Sequence, residues 1–286
     1  MPEAHDVATN GVRLRVLQQG REDGPLVLLL HGFPEHAGAW LVHSALLARA
    51  GYRVWAPDQR GYGGSDKPER IADYALDTLA ADVVGLIDAA GRERAVLVGH
   101  DWGAAVAWWV AARHPERVAK LVAINVPHPA AMRGFVGRSL TQLRKSWYIL
   151  AFQLPLLPEA LARRHDFRAL ARALTGSSRP GTFTDEDLNA YRRAWAQPDA
   201  LRSMLDWYRA MLRHPPDMAD ARITAPTLLL WGVHDVALER GLAQRSIDLC
   251  DDGRLIFFEH ATHWVHHEEP ERVHAAIAEF LGAGSG

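Results

Sequence analysis

The chain has 286 residues, 48% of them hydrophobic, and a formal net charge of −2 from nearly balanced acids and bases. A large core is affordable, while no basic stripe or charge block points to nucleic acid, and no apolar run reaches the ~18 residues of a spanning helix. One cysteine, Cys250, excludes an intrachain disulfide, and MPEAHDVATN lacks the basic and apolar stretches of a signal peptide, so a cytoplasmic protein is expected.

In chain order, the first expected strands are Val12–Leu17 and Leu26–Leu30, the second running into HGFPE, His31–Glu35. A helical pattern over Ala39–Ala50 precedes a short strand, Val54–Ala56, and the glycine-rich loop Asp58–Pro68, in which Arg60 is read as tying backbone carbonyls. Helix Thr78–Ala90 leads to strand Ala95–Val98, the turn GHDWG and helix Ala104–Arg113. Leu121–Asn125 is the next strand. These runs lack polar alternation, as strands covered on both faces do, and the strand–helix order predicts a doubly wound, mostly parallel sheet.

The alternation stops between residues 131 and 220. LPLLPEALARR, TDEDLNAYRRAWA and DALRSMLDWYRAMLR are helical in texture, Thr184 marks a helix start, and Pro215 with Pro216 marks the far edge. The expected organisation is a core of residues 1–130 and 221–286 with a helical cap of residues 131–220 inserted. Within the cap, the apolar run Ser146–Pro155 either lines a tunnel or meets a partner chain or a membrane surface. Strands Thr227–Trp231 and Leu255–Phe258 and helix Glu269–Leu281 complete the core, and the terminal GAGSG reads as a flexible tail.

LVGHDWGAA has the outline of a nucleophile elbow, with Asp101 where most such turns hold serine. An aspartate there could simply cap the following helix. Three further features favour chemistry. HGFPE stands where a second oxyanion donor belongs, so the amides of Phe33 and Trp102 could converge on one oxygen. GVHD places Asp235 just past a strand end, and ATHW places His263 after the last strand, giving the order nucleophile, acid, base. Asn125 is neutral, which leaves Asp235 as the acid. Of the fifteen histidines, His31 and His100 are read as structural, and His266 and His267 as facing solvent.

A serine must lose a proton to attack and suits an sp² carbonyl, whereas a carboxylate is already anionic at neutral pH and can displace a leaving group from sp³ carbon. The product is an ester on the protein itself, which His263, oriented by Asp235, can hydrolyse by activating water. That chemistry fits opening an epoxide or expelling a halide. An epoxide oxygen needs a proton as it leaves, and Tyr148 and Tyr208 are the candidate donors in the cap.

HGFPE, DQRGYGGSDKP, GHDWGA, WG-x-x-D and ATHW together resemble the α/β-hydrolase-fold epoxide hydrolases, from about Leu26 to Leu281. NVPHP and WYR are close to that family's versions. The resemblance implies an eight-stranded sheet with helices on both faces and a helical cap. It implies two cap tyrosines that bind and protonate the epoxide oxygen: Tyr148, five residues before Gln153, and Tyr208 in WYR. It also implies a cis peptide before Pro34, and substrate contacts from Phe33, Pro34, Trp102, Tyr148 and Tyr208. No metal or organic cofactor is expected, because nucleophile, acids and base are all side chains. The expected reactants are a small lipophilic epoxide and water, and a second copy of the chain is a candidate partner.

Two families sharing the aspartate nucleophile are the enzymatic alternatives. Fluoroacetate dehalogenases carry arginines where this chain has Trp102 and Ala105, and haloalkane dehalogenases usually place asparagine where it has Phe33. A small-molecule receptor on a hydrolase scaffold is the non-enzymatic alternative.

Overall fold

Eight strands form one sheet in the order β1-β2-β4-β3-β5-β6-β7-β8 in the computed structural model, which describes residues 2–136, 139–217 and 222–282. They are β1 (Glu3–Thr9), β2 (Val12–Gly20), β3 (Leu26–Leu30), β4 (Arg53–Pro57), β5 (Ala95–His100), β6 (Val118–Ile124), β7 (Thr227–Gly232) and β8 (Gly253–Phe258). Only β2 runs against its neighbours; every pairing from β4 to β8 is parallel. The sheet is thus the mostly parallel α/β-hydrolase arrangement.

The absence of polar alternation in the central strands has a direct cause. In β3, Leu26, Leu28 and Leu30 join one core layer while Val27 and Leu29 join the other. The first layer is closed by α2 (Leu76–Ala89) and α3 (Trp102–Arg113), following α1 (Leu41–Arg49) in the chain. In α3 the indoles of Trp108 and Trp109 are almost fully buried. The second layer packs on α1 and on the last helix of the chain. With both faces covered, neither face needs polar side chains.

Between β6 and β7 lie α4 (Pro129–Val136), α5 (Leu140–Lys145), α6 (Trp147–Ala151), α7 (Leu157–Ser177), α8 (Asp185–Trp195) and α9 (Ala200–Arg213). Then α10 (Gly241–Ile247), α11 (Val265–Glu268) and α12 (Pro270–Leu281) complete the second half of the core. Thr184 starts α8 as expected, and with Asp187 it forms a capping box. The backbone of α7 leaves helical geometry at Arg164–Phe167, so its two halves are distinct. Residues 218–220 at the far edge of the expected cap, and the tail beyond Gly282, lie outside the described residues.

Strand β1 was not among the expected elements. EAHDVAT is mostly exposed and carries no apolar face, yet it pairs residue for residue with β2 through the tight turn at Asn10–Gly11. Both turn residues have positive φ, 41° and 74°. Asn-Gly is the two-residue hairpin signal, and it was the available clue. Trp147, within the apolar Ser146–Pro155 run, is 67% exposed.

Candidate active site

Strand β5 ends at His100, and the chain turns through Asp101 into α3. Asp101 has φ 49° and ψ −124°, a conformation that an L-residue holds only when its surroundings fix it. It occupies the N-cap position but makes no capping hydrogen bond with its side chain. Its carboxylate is turned instead toward the cavity above the sheet. Two close approaches force small residues nearby. A Cβ at Gly103 would strike the carbonyls of Leu30 and His31, and one at Gly32 would strike the Asp101 side chain.

Asp101 Oδ1 accepts a hydrogen bond from the Phe33 amide at 2.7 Å. The Trp102 amide heads α3, at the end where a helix favours negative charge. The peptide between Phe33 and Pro34 is cis. Oδ2 of Asp101 faces His263 Nε2 at 3.7 Å, and His263 Nδ1 is 2.7 Å from Asp235 Oδ2. Asp235 in turn accepts from the amides of Ala237 and Leu238 and from the Asn125 side chain. Asn125, whose Oδ1 accepts from the Gly232 amide, ties the ends of β6 and β7 together beneath the acid. Sequence reasoning had noted only that Asn125 carries no charge; its hydrogen-bonding role needed the β6–β7 pairing to be seen.

Burial alone would depress protonation of His263, but the Asp235 and Asp101 carboxylates outweigh it and raise its pKa to about 10. Burial would raise the pKa of both aspartates. Contact with His263 overrides it, so both lie below the usual carboxylate value. At neutral pH the set therefore rests as an imidazolium between two carboxylates.

On the opposite wall, Tyr208 from α9 is buried and Tyr148 from α6 is partly buried, with ring centroids 5.9 Å apart. Tyr208 packs edge-on against Trp102 and Phe33, at 5.1 and 5.3 Å, and against Phe152 at 5.1 Å. Burial, followed by the charge of Asp101, pushes both phenols above their ordinary pKa, so both stay protonated donors. The Gln153 side chain donates to the Tyr208 carbonyl, linking the α6 loop to α9.

Asp101, Trp102, Tyr148, Tyr208 and His263 all line one cavity of about 580 Å³, whose remaining walls are largely apolar. Phe33 and Pro34, expected to touch substrate, lie outside this lining. Phe33 contributes its amide, its ring being packed against Tyr208 and Phe152. Pro34 is buried, and its carbonyl accepts from the Trp195 indole at 2.6 Å.

Behind His263 lies a buried knot that includes His266 and His267, the two histidines expected to face solvent. Glu35 accepts from Tyr191 and is bonded to His100 and His267, while His266 Nε2 stands 3.8 Å away. His266 is buried, and His267 has only 18% of its side chain exposed. The single turn α11 docks these histidines over Glu35, some 230 residues away in sequence, so local polarity misled. His100 also contacts the His263 carbonyl at 3.0 Å, holding the base loop. Glu35, His266 and His267 are close enough to hold a metal ion. The donors already converging on Glu35 account for its charge. Arg60 likewise differs from expectation: besides the Asn10 carbonyl it grips Asp82 in a buried ion pair.

The alpha/beta hydrolase fold family matches residues 25–270. The AB hydrolase superfamily protein YfhM of Bacillus subtilis is 48% identical over 275 residues, covering 96% of each chain. Epoxide hydrolase 1 of Caenorhabditis elegans is 37% identical over 275 residues, covering 94% of this chain and 68% of the relative. The crystal structure of epoxide hydrolase A from Mycobacterium thermoresistibile superposes with a TM-score of 0.86 at 35% identity, covering 98% of both chains.

Proposed function

The chain belongs to the alpha/beta hydrolase fold family and, within it, to the epoxide hydrolases, and on that premise we propose that it converts an epoxide and water to a vicinal diol through an ester on Asp101. The observation that carries this reading is the pair of protonated tyrosines facing a carboxylate nucleophile across an apolar cavity. A halide leaves as a stable anion and asks for no proton, whereas a ring oxygen leaves as an alkoxide and requires one.

In the first step an Asp101 oxygen forms a bond to a ring carbon and the carbon–oxygen bond of the epoxide breaks. Tyr148 and Tyr208 hydrogen-bond the departing oxygen. Ester formation removes one of the two carboxylates that hold the His263 proton. The imidazolium proton then matches the one the alkoxide lacks, and its transfer, directly or through the tyrosines and water, leaves His263 neutral. Esterification thus converts a group raised to about pKa 10 into a base. In the second step His263 takes a proton from water, and the resulting hydroxide adds to the ester carbonyl. The amides of Phe33 and Trp102 hold the oxyanion; as it collapses, the His263 imidazolium protonates the departing alkoxide to give the diol, and the Asp101 acid returns a proton to His263. Asp235, fixed by Asn125 and two amides, keeps the His263 tautomer correct.

One turnover in ¹⁸O-water with protein in excess tests this scheme. Label should enter the Asp101 carboxylate and be absent from the first diol released. Label in that diol, with none in Asp101, means that water opens the ring directly and the ester does not form.

A further inference from the structure

Eight of the eleven large hydrophobic side chains that the described residues expose lie between Leu143 and Leu212 in the cap. Trp147, Leu150, Leu154, Leu156, Leu157 and Leu161 are all about half exposed or more, Leu156 reaching 79%. Isolated surface leucines are ordinary, whereas a contiguous set marks an interaction surface. The underside of this segment is anchored through its polar atoms. Arg209 donates to the carbonyls of Phe152 and Leu154, and Gln153 reaches the Tyr208 carbonyl. Two carbonyls of the segment are thereby satisfied from within the cap, while its leucines and Trp147 are exposed.

Charge narrows the identity of the partner. Residues 129–177 contain eight Arg or Lys and two acids, in a chain with a net charge of −2. Both acids are already engaged, Glu159 with Arg209 at 2.8 Å and Asp166 with Arg192 at 3.3 Å. Arg144, Arg163, Arg164, Arg168 and Arg172 are exposed. A second copy of the chain is a poor fit, because a two-fold contact would bring this basic patch against itself. An apolar surface with an interfacial tryptophan and a basic surround suits the headgroup region of an anionic bilayer. The patch is continuous with the cavity, since Leu143, Leu150 and Leu212 belong to both.

We propose that the cap docks peripherally on anionic phospholipid bilayers through the Trp147–Leu161 surface and its arginines, so that the cavity opens toward the membrane. No described helix is long and apolar enough to cross a membrane, and none is needed for attachment of this kind. Docking stands independently of the epoxide reading. The consequence that lipid-dissolved epoxides enter the cavity from the bilayer rests on that reading.

Co-sedimentation of the full chain with phosphatidylcholine vesicles, with and without about one third phosphatidylglycerol, tests the docking. The chain should pellet with the anionic vesicles, stay in solution with neutral ones, and be released when salt rises from about 0.1 to about 0.5 M. The paired changes Trp147→Ser with Leu156→Asn, and Arg144→Glu with Arg163→Glu, should each weaken vesicle binding roughly tenfold. Both should leave hydrolysis of a water-soluble epoxide unchanged, which also reports that the variants are folded. Failure of the wild type to pellet overturns the proposal, as does equal binding by the variants. A vesicle-free dimer that the Trp147→Ser/Leu156→Asn pair dissolves would reassign the face to self-association. Vesicle binding by a protein that opens no epoxide would keep the docking and overturn the activity reading.

Discussion

Asp101, Asp235 and His263 on the sheet side of the cavity are positioned by hydrogen bonds and charge, whereas Tyr148 and Tyr208 on the cap side are positioned by the packing of rings. Asp235 alone accepts from two amides and the Asn125 amide group, besides its contact with His263. Tyr208 is held by four aromatic neighbours. Directional bonds from strand ends fix atoms that must meet at defined distances and hold charges that burial would otherwise penalise. Ring packing fixes a surface on the cap side of the cavity. The contrast predicts that changes on the two sides will interrupt different halves of the reaction.

The largest separation should come from His263→Gln. Ester formation should survive, with the tyrosines and water supplying the ring oxygen's proton, and its hydrolysis should fall by roughly 10²–10⁴-fold, the usual span for loss of a general base. Intact-mass measurement after incubation with an epoxide should show a stoichiometric adduct, and an unmodified protein would break the division of labour. Next comes Tyr148→Phe with Tyr208→Phe, which should slow ring opening by a similar or somewhat smaller factor. No adduct should build up in this variant, because hydrolysis of any ester formed stays fast. Accumulation of ester would move the tyrosines to the wrong half.

A smaller effect is expected from Asn125→Ala, which removes one of the bonds holding Asp235. Leaving a buried acceptor partly unsatisfied costs about 1–3 kcal/mol. That should appear as an ester that hydrolyses roughly 10-fold more slowly, with ring opening unchanged in single-turnover kinetics. Equal slowing of both steps would mean that Asn125 supports the fold rather than the acid.

The last expected effect is on stability rather than on rate. His263 is raised to about 10 in the folded chain, against ~6.5 for an ordinary imidazole. A group raised on folding stabilises fully below its unfolded pKa and loses that contribution as pH rises through the folded value. The Tm advantage of the wild type over His263→Gln should therefore shrink between about pH 7 and pH 10. Asp101 and Asp235 are shifted down, so their contribution persists above about pH 4 and is lost in stronger acid. A Tm difference independent of pH across the alkaline range would mean that His263 carries no extra proton.

The same contrast explains what the amino-acid order revealed. The elbow, HGFPE, GVHD and ATHW are local strings in which turn and chemistry are written together, so the residues of the sheet side could be named directly. On the cap side, Tyr208 was named within WYR, while Tyr148 depended on its distance from Gln153. Features built from distant partners were illegible. His266 and His267 read as polar surface until α11 docks on Glu35, and Asn125 read as merely uncharged until β6 and β7 pair. Strand β1 lacks an apolar face, so only its Asn-Gly turn announced it.

Neighbouring strands β6 and β7 mark the places where the chain leaves for the cap and returns, and they run parallel, with Leu121 opposite Thr227 and Ile124 opposite Leu230. The whole excursion therefore leaves from the carboxyl end of one strand and re-enters at the amino end of the strand beside it. Insertions, deletions and rearrangements between those two strands leave the sheet register untouched. Inheritance can rewrite what the protein admits without redrafting the machinery that reacts with it.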